Sequence, residues 1–464
     1  MTPLVLVGFA DALAAIESVW CLVDHGFQVH AFARSGTRPA LSRCRGVRVI
    51  TIMPPEYNAR LASADLARAI RELRPAALMP LDDQAVWLVN QAVAGALADD
   101  GWGQARNGVP ADDGWGQARN GVPADDGARQ VAPGVAADDA CRQIVGRTVV
   151  AGPLGLAAEL ALDKRLQLKA AQSAGFAAPP SCDPTGGPLP GCGPWMVKPA
   201  LAVELAGDRL RRGSGKIART PAEARAAAAA VGGPAIVQPL IEGTGEGLFG
   251  LATPTGVVAL SAHRRIRMMN PRGSGSSACR SIPVDSALVG PVREFVAATS
   301  WRGPFMIELL RDQSGTPWFM ELNGRAWGSM ALACRRGLAY PAWAVRAALD
   351  PAWLLAEPPP AAHLTARHLG REIVHVGAVL AKGGAPRLRT MRDVLTVRRS
   401  DRWYNWRRGN ASVFVADTWA TVSGQLRRPG TNAMPARAGG RRGGQTGHRR
   451  DASDSGRPRR AAHD

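Results

Sequence analysis

The stretch from Phe305 to Arg325 most constrains the fold, because two apolar segments each carry a glutamate near their centre. The segments read Phe-Met-Ile-Glu-Leu-Leu and Trp-Phe-Met-Glu-Leu-Asn-Gly-Arg, and a polar turn with Asp, Ser and Gly separates them. This pattern predicts a β-hairpin. If the turn is centred between residues 314 and 315, Glu308 and Glu321 each lie 6.5 positions from the centre and face each other.

Three oxygen-bearing side chains are expected to meet on this hairpin. Glu321 and Asn323 share one face, because side chains alternate along a strand. Two carboxylates held this close repel each other unless a cation lies between them. Hard oxygen ligands suit Mg²⁺ or Mn²⁺. We therefore predict Glu308, Glu321 and Asn323 as metal ligands, and the alternative is a surface hairpin with solvated glutamates.

The basic charge does not indicate a nucleic-acid-binding protein. The 464 residues carry a net charge of +19, but +7 of it comes from ten Arg and three Asp in the Gly-rich stretch 427–464. The remaining Arg residues form no basic stripe interleaved with aromatic residues. We expect no specific nucleic-acid partner and a disordered basic tail over 427–464.

Lysine is rare and clustered. The chain has five lysines, and four of them lie within residues 164–216. Lys is a compact ammonium on a flexible stem and is not interchangeable with Arg at a phosphate. The cluster therefore points to a phosphate site, with chance clustering as the alternative.

Cysteine and hydropathy patterns exclude several protein classes. The seven cysteines have no CxxC spacing, so neither a zinc site nor a disulfide framework is indicated. The first residues lack the basic region of a signal peptide, and no run of about eighteen apolar residues occurs. We expect a cytoplasmic protein without a membrane partner.

Residues 1–97 alternate between strand and helix patterns, which predicts an α/β domain with a parallel sheet and helices on both faces. Ligands bind such sheets at the carboxyl ends of the strands. Gly8, Arg34 and the Asp82–Asp83 pair are expected there. The stretch contains neither G-x-G-x-x-G nor a P-loop motif.

Residues 98–139 are a tandem repeat with a period of thirteen. The unit Ala-Asp-Asp-Gly-Trp-Gly-Gln-Ala-Arg-Asn-Gly-Val-Pro at 98–110 recurs identically at 111–123, and degenerate copies follow. This composition cannot build a core. We predict a flexible insertion without a catalytic part. Strand and helix patterns resume from residue 140, and 351–426 is a basic C-terminal segment without an assigned role.

Five motifs occur in a characteristic order: Asp163-Lys164, Met196-Val-Lys-Pro199, Val237-Gln-Pro-Leu-Ile-Glu-Gly243, Glu308 and Glu321-Leu-Asn-Gly-Arg325. This order resembles the ATP-grasp superfamily, in particular its carboxylate–amine ligase and biotin-carboxylase-like branch. The resemblance implies an α/β fold (α+β ATP-grasp). A doubly wound pre-ATP-grasp domain would span 1–97, and an ATP-grasp domain would span 140–350 with two lobes meeting near 236–243.

The resemblance also implies a nucleotide site. Lys164 and Lys198 would reach the ATP phosphates, and solvated lysines are the alternative. The loop with Gly213, Gly215 and Lys216 would fold over the phosphates. An ordinary turn is equally open for this loop, because twelve residues (200–211) separate it from the Lys198 strand.

The adenine and the ribose would bind at the hinge between the two lobes. In the family, main-chain groups of this hinge read adenine, which assigns that role to Gln238, Pro239 and Ile241. Glu246 would hold the ribose hydroxyls, and a plain loop glutamate is the alternative.

Three arginines are candidates for the reacting groups. Arg325 would point into the metal cavity, where its planar fork suits a carboxylate or an acylphosphate. Arg265 and Arg280, in a His-Arg-Arg run and the Gly/Ser-rich stretch after it, would bind phosphate or substrate carboxylate. A basic strand edge beside a flexible loop is the alternative for these two.

The activity implied by the resemblance is an ATP-dependent ligation that requires Mg²⁺ or Mn²⁺. A small-molecule carboxylate would form an acylphosphate, and an amine would then displace phosphate. Two other functions stay open: activation of bicarbonate as in biotin carboxylases, and nucleotide binding without catalysis. The sequence leaves the oligomeric state open, a homodimer included.

Overall fold

The computed structural model describes most of the chain outside the repeat and the tail. The predicted repeat insertion lies outside the described residues beyond Asp99, and so does the predicted tail 427–464. The described residues are 2–99, 148–184, 187–270, 275–356, 362–382 and 386–426.

The N-terminal sheet is parallel and doubly wound, as the alternating pattern predicts. Its strand order is β3-β2-β1-β4-β5, so the chain winds outward in both directions from β1. The strands are β1 (Leu4–Gly8), β2 (Gln28–Arg34), β3 (Arg48–Ile52), β4 (Ala77–Pro80) and β5 (Val149–Val150), and the helices are α1 (Ala15–Asp24), α2 (Ala59–Leu73) and α3 (Asp83–Asp99).

Helices cover both faces of this sheet, because alternate residues of β1 point to opposite sides. Val5 and Val7 pack in a cluster that includes one side of α1. Leu6 packs in a second cluster, together with Leu66 of α2 and Leu88 of α3. The carboxyl ends of the strands are thereby left open between the two helix layers.

A small antiparallel sheet follows, with the order β10-β6-β9, and one helix packs on it. A two-stranded hairpin, β7–β8, is inserted between its strands. The strands are β6 (Trp195–Pro199), β7 (Glu204–Ala206), β8 (Arg209–Arg211), β9 (Lys216–Ala218) and β10 (Ala235–Pro239), and the helices up to this point are α4 (Leu156–Leu162), α5 (Lys164–Ser173) and α6 (Pro221–Ala229).

The large sheet has seven strands in the order β15-β14-β11-β12-β13-β16-β17, and all neighbours are antiparallel except β16 and β17. Its last two strands come from the basic segment 351–426, which therefore completes this sheet. The strands are β11 (Thr244–Thr253), β12 (Gly256–Met268), β13 (Ser276–Ile282), β14 (Gly303–Arg311), β15 (Pro317–Asn323), β16 (Thr365–Arg367) and β17 (Asp401–Trp403).

The large sheet is buried on both faces. Phe249 and Met306 pack on the side of the N-terminal sheet, in the cluster that contains Val5. Leu248 and Ile307 pack on the opposite side against α5 and α7. The remaining helices are α7 (Val289–Ala298), α8 (Met330–Arg335), α9 (Tyr340–Leu349), α10 (Leu369–Lys382), α11 (Arg387–Leu395) and α12 (Ala411–Leu426).

The described residues up to Gln425 form one compact unit, and the domain boundaries given above stay predictions. Within the described part of the chain, no helix combines the length and the hydropathy needed to cross a bilayer.

Candidate active site

The hairpin of β14 and β15 brings the two predicted glutamates together. The antiparallel register pairs Glu308 with Glu321 and Met306 with Asn323, so the predicted facing of the glutamates is confirmed. Asn323 lies on the same face, with its Nδ2 3.4 Å from Glu321 Oε1. An irregularity after Glu308 pairs Leu309 with Phe319, which keeps both of these side chains in the core behind the carboxylates.

Arg265 of β12 reaches this carboxylate pair across β11. Its Nη2 lies 2.7 Å from Glu308 Oε2. The path depends on Gly245, because a Cβ at that position would lie 2.8 Å from Arg265 Cδ. Burial by itself lowers the pKa of Arg265, but the contact with Glu308 outweighs it and raises the pKa above its ordinary value. Arg265 therefore holds a permanent positive charge beside the carboxylates of Glu308 and Glu321.

Lys198 of the small sheet interacts with the same carboxylates, and Lys164 lies close to Lys198. Lys198 lies in β6, and α5 begins at Lys164, whose backbone N–H donates to Ala200 O at 2.8 Å. Burial lowers the pKa of Lys198, and the charges of Glu321 and Glu308 partly offset this while Lys164 adds to it. Lys198 therefore interacts electrostatically with both carboxylates and with the ammonium group of Lys164.

The glycine loop between β8 and β9 lies against the Lys198 strand. A Cβ on Gly213 would lie 2.2 Å from Pro199 Cγ, and one on Gly215 would lie 3.1 Å from Met196 Sδ. Lys216 of β9 is in register with Val197 of β6, and Lys216 is exposed. At Gly213, only a residue without a side chain allows the backbone this close to β6.

The residues between β6 and this loop fold away from it, which explains the unusual spacing in sequence. They form the β7–β8 hairpin, which docks on the N-terminal part of the chain. Leu210 N donates to Pro55 O at 2.8 Å, and Asp208 O accepts from Ala59 N at 2.6 Å. Val203 and Leu210 bury their side chains beside Ala59. After the β7–β8 hairpin, the chain returns to pair with β6, and the glycine loop therefore still lies beside Lys198.

Asp83 connects the N-terminal sheet to this site. It follows β4 at the carboxyl edge, where its Oδ1 accepts from Arg325 Nε at 2.9 Å and its Oδ2 pairs with Arg212 of the glycine loop. Burial raises the pKa of Asp83, but Arg325 and Arg212 outweigh it and hold the value at about 2. Lys164 acts in the same direction. Arg325 therefore reaches the site already oriented by a carboxylate.

The predicted hinge joins the small and the large sheet. Pro239 ends β10, paired with Trp195, and the chain enters β11 at residue 244. Gln238 Nε2 donates to Ser181 Oγ at 2.7 Å, while its buried Oε1 has no hydrogen-bond partner. Ile241 is partly exposed. The side-chain amide oxygen of Gln238 is thus a buried acceptor without a hydrogen bond at the segment that joins the two sheets.

Glu246 and Arg280 are not brought to this site. Glu246 alternates with Gly247, the partner of Glu308, and so points to the opposite face of the sheet. Its carboxylate oxygens are 2.8 Å from Arg264 and 3.0 Å from Arg311, so they are engaged in ion pairs. Arg280 is in register with Arg264 and shares that face. The sequence assigned both residues from their order along the chain, and strand alternation separates them from the carboxylate pair.

Asp83, Arg212 and His263 complete the surroundings and were not assigned as site residues from sequence. The Asp82–Asp83 pair was recognised at the strand end, but its arginine partners were not. His263 lies in β12 two residues before Arg265, and both of its ring nitrogens are buried without a partner. Burial, with the Arg265 charge, lowers the pKa of His263 to about 3, so its ring is neutral at physiological pH. In the sequence, the run His263-Arg264-Arg265 is the feature that could have pointed to His263.

The donor set fits a hard divalent ion. Glu308 and Glu321 face each other across neighbouring strands, and Asn323 adds an amide oxygen. No group of three or more His, Cys, Asp or Glu side chains in the described residues is arranged to hold a metal. Two carboxylates and an amide leave coordination positions for phosphate oxygens and water, as Mg²⁺ sites commonly do.

Comparisons with known proteins address the fold. No family model and no curated protein sequence matches the chain. Among solved structures, the biotin carboxylase domain of 2-oxoglutarate carboxylase from Hydrogenobacter thermophilus matches with a TM-score of 0.52 at 13% identity, over 76% of this chain and 71% of that one. Biotin carboxylase from Campylobacter jejuni matches with a TM-score of 0.51 at 12% identity, over 79% and 74%.

An L-amino acid ligase from Bacillus licheniformis also matches, with a TM-score of 0.48 at 16% identity, over 75% of this chain and 74% of that one. The fold argument depends on the two biotin carboxylases, whose TM-scores exceed 0.5. Together with the small antiparallel sheet, the large sheet and the hinge between them, these matches show that the chain has the ATP-grasp fold.

Proposed function

We propose that this protein is an ATP- and Mg²⁺-dependent ligase that activates a small-molecule carboxylate as an acylphosphate for attack by an amine. One observation carries the proposal: the register of β14 and β15 sets Glu308 against Glu321, beside Asn323 and within the electrostatic reach of Lys198. A metal site beside a phosphate site accounts for this arrangement of carboxylates and an ammonium group.

The proposed nucleotide contacts follow from this arrangement. Lys164 and Lys198 compensate the charge of the ATP phosphates, and the glycine loop with Gly213 and Gly215 offers backbone N–H groups to them. Lys216, at the end of the loop, is a further phosphate contact. The hinge residues Gln238, Pro239 and Ile241 are the proposed adenine contacts.

The proposed metal ligands are Glu308, Glu321 and Asn323. Mg²⁺, or Mn²⁺ in its place, would supply positive charge that offsets the charge developing on the transferred phosphoryl group. Arg265 already neutralises part of the Glu308 charge. It therefore lies where a second anion, a substrate carboxylate or a phosphate, can be bound without a large net negative charge.

Arg325 is the proposed contact of the substrate carboxylate and of the acylphosphate. Asp83 engages its Nε, which fixes the plane of the guanidinium. Because Asp83 also binds Arg212 of the glycine loop, one carboxylate sets the position of both arginines. Positioning of this kind supplies much of the rate enhancement when the protein forms no covalent intermediate.

The chemistry has two steps. A substrate carboxylate oxygen attacks the γ-phosphorus of ATP, the bond to the β-phosphate oxygen breaks, and ADP leaves. The amine nitrogen then attacks the acyl carbon, phosphate leaves with the bonding electrons, and the nitrogen loses a proton. Exclusion of water protects the acylphosphate between the steps.

Bicarbonate activation is the second candidate. The two structures that support the fold are biotin carboxylases, and the Hydrogenobacter thermophilus structure is a complex with MgADP and bicarbonate. This chain has no Met-Lys-Met sequence of a biotin carrier, so a separate carrier would be required. Biotin-dependent turnover of bicarbonate would identify this function.

The test is ADP release by the full chain with ATP and Mg²⁺, screened over pooled amino acids and other carboxylates and amines, with mass spectrometry of the products. We expect ADP release that requires both an acid and an amine, and a product mass equal to their sum minus water. ATP binding without ADP release across the panel would contradict the proposal.

A further inference from the structure

A cavity of about 320 Å³ lies apart from the proposed nucleotide site. It lies beside α1, which begins near the carboxyl end of β1 and runs back toward the amino end of β2. The cavity therefore includes the C-terminal end of α1, at the opposite edge of the sheet from Asp83. Its lining includes Glu17, Cys21, His25, Cys334, Arg335 and Arg407.

Two cysteines from distant parts of the sequence meet in this cavity. Cys21 lies on α1 and Cys334 on α8, and these helices pack against each other. Cys334 Sγ lies 4.0 Å from Glu17 O, one helical turn before Cys21, and both cysteines line the same cavity. Cys21 is buried and Cys334 half-buried, and the shared cavity gives a small molecule a route to both.

The surroundings favour a thiolate on Cys21. The hydrogen bond from Cys334 lowers the pKa of Cys21 to about 6 against the effect of burial, and His25 contributes in the same direction. His25 Nδ1 lies 4.0 Å from Cys21 Sγ. The other charged groups at the cavity are paired with each other: Arg335 with Glu17 at 2.9 Å and Arg407 with Asp24 at 2.7 Å. A thiolate is the form of cysteine that reacts with disulfides and peroxides.

The other described cysteines lack this combination. Cys279 is buried against Tyr404, and burial raises its pKa to about 11. Burial also raises the pKa of Cys182. Cys44 accepts a hydrogen bond from Trp20 and is buried, and Cys192 is exposed. Among the cysteines that the structure describes, Cys21 and Cys334 are the pair that lines this cavity, on two helices that pack against each other.

We propose that Cys21 and Cys334 are a reactive dithiol that a small-molecule disulfide oxidises to an intramolecular disulfide. The Cys21 thiolate attacks one sulfur of the oxidant and forms a mixed disulfide, the oxidant's S–S bond breaks, and one small thiolate leaves and takes a proton from solvent. Cys334 then gives up its proton to solvent and attacks Cys21 Sγ, the mixed disulfide breaks, and the second small thiolate leaves and takes a proton from solvent. The two cysteines lose two electrons, which the small-molecule disulfide gains.

The bond would connect α1 of the N-terminal sheet to α8, the helix that follows Asn323 and Arg325 at the end of β15. It closes a long loop of the chain, so it lowers the entropy of the unfolded state. The oxidised protein should therefore unfold at a higher temperature than the reduced one. This inference is independent of the proposed ligase function.

The experiment uses the full chain with glutathione disulfide at pH 7.5, followed by denaturation, alkylation of free thiols and peptide mass spectrometry. We expect one cross-linked peptide pair containing Cys21 and Cys334, with the loss of two hydrogens and reversal by dithiothreitol. In Cys334→Ser, a mixed disulfide with glutathione should accumulate on Cys21. Cys192→Ser is the matched control and should form the cross-link at the wild-type rate.

The rate distinguishes this dithiol from ordinary thiols. Cys21 should react at least tenfold faster than Cys182 in the same sample, with the fold of each variant verified by circular dichroism. Complete alkylation of Cys21 and Cys334 after oxidation, with glutathione found only on Cys192, would overturn the proposal. A glutathione adduct that persists on Cys21 in the unsubstituted protein would also overturn it, because Cys334 would then not resolve it.

Discussion

Asp83 forms ion pairs with two arginines at the candidate site. Its carboxylate is buried and receives Arg325 from the end of β15 and Arg212 from the glycine loop. Replacing it with a neutral amide leaves two arginines with reduced compensation in a buried place. Removing one partner of a buried ion pair is among the single changes that most lower the free energy of unfolding.

We expect Asp83→Asn to lower the free energy of unfolding by about 3 kcal/mol at pH 7. The pKa of Asp83 is about 2 in the folded protein against an ordinary 3.8, so its contribution is present above about pH 4 and is lost as the pH falls through 2. Urea unfolding of both proteins at pH 7 and at several values between pH 4 and 2 measures this difference.

The matched control is Asp208→Asn, because Asp208 pairs with Arg60 at the surface, where both side chains are more than half exposed. Exposed pairs contribute little, so the change should stay within about 0.5 kcal/mol. Equal effects of the two substitutions would contradict the role given to Asp83.

The metal site gives a second prediction for single residues. Glu321→Gln keeps the shape of the side chain and removes its charge, so Mg²⁺-dependent ATP turnover should fall by about 100-fold or more while the unfolding midpoint changes little. Steady-state ADP release at saturating Mg²⁺ is the measurement. Glu294→Gln, at an exposed position of α7, is the control and should leave turnover unchanged. Wild-type turnover in Glu321→Gln would remove the metal assignment.

Single residues also show which contacts a sequence can predict. The hairpin of β14 and β15 was predictable, but the register set by its turn pairs Leu309 with Phe319 and would place Glu308 opposite Met320. The irregularity after Glu308 shifts the pairing by one residue and brings Glu308 opposite Glu321.

The contact between Asp83 and Arg325 was not predictable, since 242 positions separate the two residues and no local pattern links them. The same holds for Cys21 and Cys334. The assignment of Glu246 depended on chain order, which carries no information about which face of β11 the side chain occupies.

At the scale of elements, hydrophobic periodicity predicts the alternating strands and helices of residues 1–97, but it does not fix the length of every strand. The apolar run Val257–Ala262 indicates a strand of six residues, whereas β12 continues through His263 and Arg265 to Met268. Charged residues interrupt the apolar pattern there, but Arg264 pairs with Glu246 of β11 and Arg265 pairs with Glu308 of β14. Tertiary ion pairs therefore extend a strand that local composition ends early.

The glycine loop gives a prediction for an element. Gly213→Ala places a Cβ 2.2 Å from Pro199 Cγ, so the loop must move away from β6. We expect the KM for ATP to rise about tenfold, because the loop backbone no longer fits the phosphates. The measurement is initial ADP release as a function of ATP concentration.

Gly290→Ala is the control for this change, since a Cβ there meets no atom within 4 Å. It should leave the KM for ATP unaltered. A wild-type KM in Gly213→Ala would show that residues 212–216 are an ordinary turn rather than a phosphate loop.

At the scale of the whole molecule, chain segments that are far apart in sequence contribute strands to the same sheet. The basic segment 351–426 had no assigned role from sequence, yet it supplies β16 and β17 to the large sheet. Because these strands pair beyond β13, truncation before residue 365 would leave the edge of β13 unpaired. Non-local pairing of this kind depends on the assembled sheet, so the local pattern could not indicate it.

The tandem repeat gives a prediction for the whole chain. Deleting residues 98–136 removes three periods and brings Ala137-Asp138-Asp139 to the place of Ala98-Asp99-Asp100, so the end of α3 keeps its sequence. We expect the affinity for ATP to stay within about twofold of the wild-type value, because none of the proposed contacts lies in the repeat. Isothermal titration with an ATP analogue and Mg²⁺ is the measurement, and a loss of more than tenfold would mean that the repeat contributes to the site.

The central claim is that a divalent ion and the phosphates of ATP meet between the hairpin of β14 and β15 and the two lysines of the small lobe. The most direct measurement is a crystal structure of the full chain with a non-hydrolysable ATP analogue and Mg²⁺. The account predicts Mg²⁺ bound by Glu308, Glu321 and Asn323, with phosphate oxygens contacting Lys164 and Lys198. Nucleotide bound elsewhere, with these side chains free of metal at saturating Mg²⁺, would contradict it.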